Sequence, residues 1–166
     1  MHGMTAVETP WAASLSDYRC FGCSPHNPHG LQLVFHEAGD ALECTFQLGR
    51  TFESYPGMVH GGVIGTICDE VMGNLIVLRE GRSAFTVGIR LRYLAPLSVG
   101  EEYRCVARVR PAGQLYQGSA EVLDRDGTLL VTATGTFQPV DMDRAREHMH
   151  LTDTETEQLS MRMERP

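Results

Sequence analysis

The sequence contains no lysine, so all 14 of its basic residues are arginine. With 21 acidic residues the net charge is −7, which disfavours nucleic acid as a partner because phosphate-backbone binding needs a clustered basic surface. An arginine-only composition is what a GC-rich genome produces. It also leaves planar guanidinium groups that suit smaller phosphates.

Long apolar runs and targeting signals are also missing. No apolar run of about 18 residues is present, so no membrane span is predicted. The first residues lack the basic start and apolar stretch of a signal peptide, which favours a cytoplasmic location. Five cysteines, an odd number at scattered positions, indicate reduced thiols rather than a disulfide framework.

Hydrophobic periodicity divides the chain into three parts. Residues 1–30 are rich in Pro, Gly, Ser and His and predict an irregular segment, with a short helix around Trp11–Tyr18. Residues 31–140 predict one domain of alternating strands on both sides of a long apolar run. Residues 141–166 lose the pattern and predict an acidic surface helix or a mobile tail.

Turn residues and the apolar run predict the fold class. Gly39-Asp40 and Asp126-Gly127 each separate two alternating segments, as in hairpins. The run from His60 to Arg79 predicts a buried helix that Gly81 ends. The strand predicted next carries Phe85, Val87, Ile89 and Leu91 in alternation. An antiparallel sheet with one buried helix is an α+β domain. A sheet wrapped around that helix is the hot-dog arrangement, and periodicity alone leaves other α+β folds open.

The start of the predicted helix carries two glycines after a histidine. His60-Gly61-Gly62 lies where backbone N–H groups have no intrahelical acceptor and the helix dipole is positive. A glycine at position 61 lets an acyl carbonyl approach those N–H groups, as an oxyanion hole requires. A simple turn, with His60 shaping the loop, is the alternative.

Asp69 lies in the apolar interior of the helix, where a carboxylate is costly unless it is paired, hydrogen-bonded or functional. At about 100° per residue it shares a face with small residues. That face carries Gly62, Gly65, Thr66 and Gly73, and the opposite, core-facing side carries Ile64, Ile67, Val71, Leu75 and Leu78. A structural carboxylate at Asp69 stays an alternative, and the neighbouring Cys68 is interpreted as a buried thiol.

The spacing of Gly61 and Asp69 predicts a dimer. Eight residues of helix span about 12 Å, whereas an oxyanion donor and a base that serve one carbonyl each lie about 3 Å from the reacting atoms. One helix cannot supply both to one centre. If both act, Gly61 of one protomer works with Asp69 of its partner, which gives two equivalent sites about a two-fold axis.

Three segments resemble the PaaI-like group of hot-dog acyl-CoA thioesterases, within the thioesterase superfamily. The first is Phe52–Gly62, with Asp69 nine positions after His60. The others are the stretch from Thr86 to Pro96, and the opening Cys20-Phe21-Gly22-Cys23 with Asn27 to Leu31. The likeness extends over residues 19–138.

The resemblance implies hydrolysis of an acyl-CoA or acyl-carrier thioester, with no metal and no cofactor other than the coenzyme A of the substrate. It implies that Asp69 activates water or attacks directly, that the Gly61 N–H of the other protomer holds the thioester oxygen, and that Thr86 orients the water. His60 supports the loop. The expected substrate contacts are Gly62, Thr66, Ser54, Met58 and Arg90, with Ser54 standing where some relatives have asparagine. A homodimer is required, and a homotetramer is an alternative.

Other functions remain open from the sequence. A hot-dog module can bind acyl-CoA without hydrolysing it, as a sensor or interaction partner, and a hot-dog hydratase or dehydratase is a third class. Cys20 and Cys23, with His26 and His29, have the ligand types for zinc. All four fall within a short stretch, so a structural turn or thiol cluster is the expectation there. For the phosphates of coenzyme A, Arg79, Arg82, Arg90 and Arg92 are candidates.

Overall fold

The computed structural model describes residues 4–163, in which one antiparallel sheet surrounds a long helix. The first three residues of the predicted N-terminal segment and the last three of the predicted C-terminal segment lie outside the described residues. The strands are β1 Ala6–Val7, β2 Phe35–Ala38, β3 Ala41–Gln47, β4 Ser83–Tyr93, β5 Glu102–Ala112, β6 Leu115–Leu123 and β7 Leu129–Val140. The helices are α1 Pro10–Ser14, α2 Gly61–Glu80, α3 Met142–Ala145 and α4 Asp153–Met163.

The strands lie in the order β1-β2-β3-β5-β6-β7-β4, and each neighbouring pair is antiparallel. Both predicted hairpins are present. Gly39 at φ 63° joins β2 to β3 and Gly127 at φ 81° lies between β6 and β7, in the left-handed region that glycine adopts without steric cost. The sheet packs around α2, so the predicted α+β hot-dog fold is confirmed.

Helix α2 begins and ends close to the predicted positions. His60 is its N-cap, and Gly81 ends it in the left-handed conformation at φ 62°, with its N–H bonded to the Val77 carbonyl. Its inner side includes Ile67, Val71 and Met72, which are fully buried. Helix α2 is long and apolar enough to cross a membrane by length and composition alone, whereas the sequence patterns predicted no membrane span. Half of its most apolar 18-residue stretch is buried inside this fold, as in a core helix.

The N-terminal segment is held by backbone hydrogen bonds rather than by regular structure. Helix α1 is shorter than predicted and ends at Ser14. The N–H groups of Leu31 and Leu33 donate to the carbonyls of Phe21 and Gly22 at 2.7 and 3.0 Å. The turn that contains the two cysteines is therefore fixed just ahead of the first hairpin.

The described part of the C-terminal segment, residues 141–163, contains α3 and α4, and α4 packs against the rest of the domain. Helix α4 contacts α1 and α2, and its Leu159 side chain is fully buried. Gly81, at the end of α2, lies under the end of α4: a Cβ built on it would be 2.1 Å from the Met163 carbonyl oxygen. Charged residues of α4, such as Asp153, Glu157 and Arg162, are exposed, which is why composition suggested a surface helix or a tail.

Candidate active site

The start of α2 leaves one backbone donor free. His60 has an extended backbone, and its Nδ1 accepts the Gly62 N–H at 2.9 Å. The N–H groups of Val63 and Ile64 bond to the His60 carbonyl. Among residues 4–163, the Gly61 N–H has no hydrogen-bond acceptor. His60 thus caps the helix and leaves the positive helix end with a single available donor at Gly61.

Tyr93, at the end of β4, contacts Gly61. Its hydroxyl donates to the Gly61 carbonyl at 2.7 Å, and a Cβ on Gly61 would lie 3.4 Å from that hydroxyl oxygen. The contact ties the end of β4 to the start of α2. Sequence analysis did not single out Tyr93. Its place two residues after Leu91, on the same side of a strand, is the signal that could have found it.

Asp69 is held by Thr86, and the two side chains meet within one chain. Thr86 Oγ1 donates to Asp69 Oδ1 at 2.7 Å. Burial raises the pKa of Asp69 above its ordinary value, and the Thr86 hydrogen bond partly opposes that rise by favouring the charged form. The pair lies at a cavity of about 170 Å³, whose wall also includes Trp11, Tyr18, Gly73, Phe85 and Met149. A partly desolvated carboxylate with one fixed oxygen is suited to general-base chemistry.

A β-bulge in β4 turns Thr86 toward the helix. The β4–β7 register pairs Thr86 with Phe137 and Gly88 with Thr136, so Val87 is an extra residue. After the bulge, Leu91 and Tyr93 contact the helix, at Gly65 and Gly61 respectively. In unbroken alternation Thr86 would face the other way.

One sequence-based prediction about packing is therefore wrong. Because the bulge shifts the alternation, Phe85 and Val87 do not lie on the same face of β4 as Ile89 and Leu91. The Val87 side chain is 63% exposed, and the Phe85 ring packs against His148. Side chains of the sheet contact the face of α2 that carries the small residues. A Cβ on Gly65 would be 2.9 Å from Leu91 Cδ1, and one on Gly73 would be 3.7 Å from the Phe137 ring.

The remaining predicted site residues fall into two places. Gly62, Thr66, Ser54 and Met58 lie at the start of α2 or in the loop before it: Thr66 donates to the Gly62 carbonyl at 3.0 Å, and the Ser54 N–H to the Met58 carbonyl at 2.8 Å. Arg90 is apart from them, on the exposed side of β4. It lines an open groove of about 780 Å³ that also contains Arg108 and Arg110.

Of the other candidate arginines, two are engaged elsewhere. Arg79 donates to the Val109 carbonyl at 3.3 Å and also to the Asp40 carbonyl. Arg82 forms a salt bridge of 2.9 Å with Asp141. Among residues 4–163, neither Arg90 nor Arg92 takes part in a salt bridge.

Next to Asp69, the side chain of Glu70 contacts Cys20 and Asn74, a contact that the sequence patterns did not predict. Cys20 Sγ donates to Glu70 Oε1 at 3.3 Å, and Asn74 Nδ2 donates to Glu70 Oε2 at 3.1 Å. Burial, and then the nearby Cys20, raises the pKa of Glu70 to about 8. Hydrogen bonding from Cys23 lowers the pKa of the Cys20 thiol. A glutamate in an apolar helix was the only sequence signal for this contact, because its thiol partner Cys20 lies 50 residues earlier.

Comparisons with known proteins agree with this architecture. Residues 56–131 match the Thioesterase superfamily. A putative thioesterase from Ralstonia eutropha JMP134, described as related to phenylacetic acid degradation, is 27% identical, with a TM-score of 0.61 over 72% of this chain and 92% of that one. A Streptococcus mutans UA159 protein bound to acetyl CoA is 20% identical, with a TM-score of 0.62 over 76% and 96% of the two chains.

A further solved thioesterase superfamily protein is 23% identical, with a TM-score of 0.61 over 66% of this chain. The likeness covers 54% of that protein, so this chain spans about half of its length. No curated protein sequence matches the chain. The resemblance recognised from sequence motifs is confirmed by the family match and by these folds.

Proposed function

Given a thioesterase-superfamily domain over residues 56–131, we propose that the protein hydrolyses an acyl-CoA thioester to the free acid and the thiol. The observation that carries the proposal is the Asp69 carboxylate, fixed by Thr86 at 2.7 Å in a partly desolvated position on the central helix. The acetyl CoA bound by a relative of the same fold supports coenzyme A as the carrier. An acyl group on a carrier protein is the alternative thioester.

The reaction needs two protomers. Gly61 and Asp69 are eight residues apart on α2, or about 12 Å, so the free Gly61 N–H of one protomer serves the Asp69 of its partner. Edge strand β4 is the surface that suits this pairing. Three apolar side chains of this strand, Val87, Ile89 and Tyr93, are 63%, 38% and 49% exposed, and a partner subunit would cover them. We assign the active form to a homodimer, of which two can associate as a tetramer.

Each group then has one task. Asp69 takes a proton from a water molecule as the water oxygen attacks the thioester carbon, and Thr86 keeps the carboxylate in place. The Gly61 N–H stabilises the oxyanion of the tetrahedral intermediate, helped by the positive end of α2. Collapse of the intermediate breaks the C–S bond, and the proton held by Asp69 passes to the leaving thiolate. His60 maintains the donor by binding the next N–H.

The substrate contacts follow from where the residues lie. Gly62, Thr66, Ser54 and Met58 surround the donor end of α2, so they are assigned to the thioester and the adjoining chain of the substrate. Arg90 and its groove are assigned to the coenzyme A phosphates, since its guanidinium has no carboxylate partner within residues 4–163. The five free cysteines fit a reducing compartment, so we assign the activity to the cytoplasm.

The test is thiol release from a panel of acyl-CoAs, with Asp69→Asn and Asp69→Ala beside the wild type. Asp69→Asn keeps an oxygen to accept the Thr86 hydroxyl, so it removes the base with little effect on geometry. We expect kcat to fall about 100-fold or more, with the oligomeric state unchanged. Glu43→Gln, at a buried carboxylate paired with Arg104, is the matched control and keeps wild-type kcat.

Two outcomes would contradict the proposal. If Asp69→Asn hydrolyses as fast as the wild type, the carboxylate is structural. If the wild type binds acyl-CoA but releases no thiol from any member of the panel, the protein is a sensor rather than an enzyme. Hydration of a 2-enoyl thioester, measured on the same samples, would instead assign it to the hydratases.

A further inference from the structure

Three side chains next to the candidate active site converge on one point. The thiols of Cys20 and Cys23 and a carboxylate oxygen of Glu70 all lie within 4.8 Å of one another. We refer to them as the thiol–carboxylate cluster. Cys23 is 6% exposed, and Cys20 and Glu70 are half-buried. The cluster joins the N-terminal turn to α2 and takes no part in the hydrolysis proposed above.

The chemistry and spacing of these atoms fit a zinc ion. Zinc takes cysteine sulfur at about 2.3 Å and carboxylate oxygen at about 2.0–2.2 Å in tetrahedral geometry. Such bond lengths put neighbouring ligand atoms about 3.5–3.8 Å apart, and Cys20 Sγ is 3.3 Å from Glu70 Oε1. Small side-chain movements would complete the site.

Neighbouring residues hold the members of the thiol–carboxylate cluster in position. A Cβ on Gly22 would lie 2.2 Å from Glu70 Cγ, so the turn between the cysteines can close over the glutamate only because residue 22 is glycine. Asn74 holds the second carboxylate oxygen at 3.1 Å. Outer partners of this kind orient metal ligands.

The carboxylate of the cluster has no cationic partner among residues 4–163. None of the salt bridges within residues 4–163 includes Glu70. The Tyr18 hydroxyl, 3.7 Å from Cys23 Sγ, is a neutral neighbour. Three acidic groups that lie together, one buried and two half-buried, are unfavourable when ionised without a cation. A divalent cation that displaces their protons would remove that cost.

We propose that Cys20, Cys23 and Glu70 bind one zinc ion, with a water molecule as the fourth ligand, and that this ion fastens the N-terminal turn to α2 beside Asp69. The ligand set differs from the zinc alternative considered from the sequence. His26 and His29 are exposed and do not join the cluster. The third ligand comes from the central helix instead, which spacing within the turn could not indicate.

The experiment measures metal in the full chain, purified through a tag that binds no metal and without chelators. Elemental analysis of the wild type is expected to give about one zinc per chain. Replacement by Co²⁺ is expected to produce a thiolate-to-cobalt absorption band. Cys20→Ser and Cys23→Ser should each lose most of the zinc, and Glu70→Gln should weaken zinc affinity at least about tenfold.

Matched controls are available in the same chain. Cys44→Ala removes a buried thiol, and Glu43→Gln a buried carboxylate, outside the cluster; both should retain zinc. Circular dichroism and gel filtration check that each variant is folded.

The wild type alone can overturn the proposal, whatever the variants do. It is refuted if the protein is free of zinc and gives no cobalt–thiolate band on titration. A zinc-free chain lighter by two hydrogen atoms, with Cys20 linked to Cys23, would refute it in favour of a redox pair. Zinc retained by the folded Cys20→Ser and Cys23→Ser variants would also refute the assignment.

Discussion

Two inactive variants should restore each other's activity if every active site uses both protomers. Asp69→Asn removes the base but keeps the acceptor for Thr86. Gly61→Pro removes the free N–H, and proline is well accommodated at the first position of a helix. His60 already has the extended backbone that a following proline requires, at φ −63° and ψ 131°. Both variants are therefore expected to fold.

The size of the effect follows from the geometry. As homodimers, Asp69→Asn should lose about 100-fold or more in kcat and Gly61→Pro about 100- to 1,000-fold. In a mixed dimer, one site joins the intact Gly61 of one subunit to the intact Asp69 of its partner, and the other site carries both changes. Random association makes about half of the dimers mixed, so an equal mixture should recover about a quarter of wild-type kcat.

The assay compares acyl-CoA hydrolysis by equal mixtures after co-refolding, with differently tagged subunits to isolate the mixed dimer. The control is the same two variants refolded separately and combined only in the assay. Without subunit exchange, no site joins an intact Gly61 to an intact Asp69. If the co-refolded mixture is no more active than this control, the shared site is refuted.

Three further predictions follow from single contacts. Thr86→Val removes a hydrogen bond that lowers the pKa of Asp69, so the carboxylate then protonates at higher pH. The acidic limb of the kcat/KM profile should therefore move to higher pH in Thr86→Val and stay in place in Thr86→Ser. An unmoved limb in Thr86→Val would contradict the role of Thr86. Gly81→Ala forces a non-glycine residue to φ 62° with its Cβ 2.1 Å from the Met163 carbonyl oxygen. The free energy of unfolding in urea should fall by about 1–3 kcal/mol. An unchanged midpoint would show that α4 moves away without a cost in stability. Leu159→Ala empties a fully buried position and should cost about 2–5 kcal/mol; a loss near zero would mean that α4 does not contribute to the stable fold.

Local patterns in the sequence predict most of the elements. Gly39 and Gly127 each mark a hairpin turn, and His60 and Gly81 mark the two ends of the helix. These signals can be found in the sequence because caps and turns depend on neighbouring residues. The pairing of Gly61 with Asp69 across protomers was likewise proposed from helix length alone, and it stays a prediction.

What the sequence could not show depends on contacts between distant segments. The bulge at Val87 has no sequence signal, since an extra residue in a strand is defined by its partner strand. The contact of Glu70 with Cys20 joins residues 50 positions apart. The docking of Leu159 was hidden because α4 is polar on most of its surface, and one buried leucine gives no clear periodicity.

The extra residue at Val87 means that the length of β4, and not only its composition, controls the candidate site. A strand alternates its side chains with a period of two, so no substitution can exchange its faces. Deleting one residue would leave Thr86 facing away from Asp69, or else turn Leu91 and Tyr93 away from α2. A lineage could therefore lose the hydroxyl–carboxylate contact through the loss of one codon while keeping the histidine, glycines, aspartate and threonine. In such a relative the motif would be intact and the reaction absent.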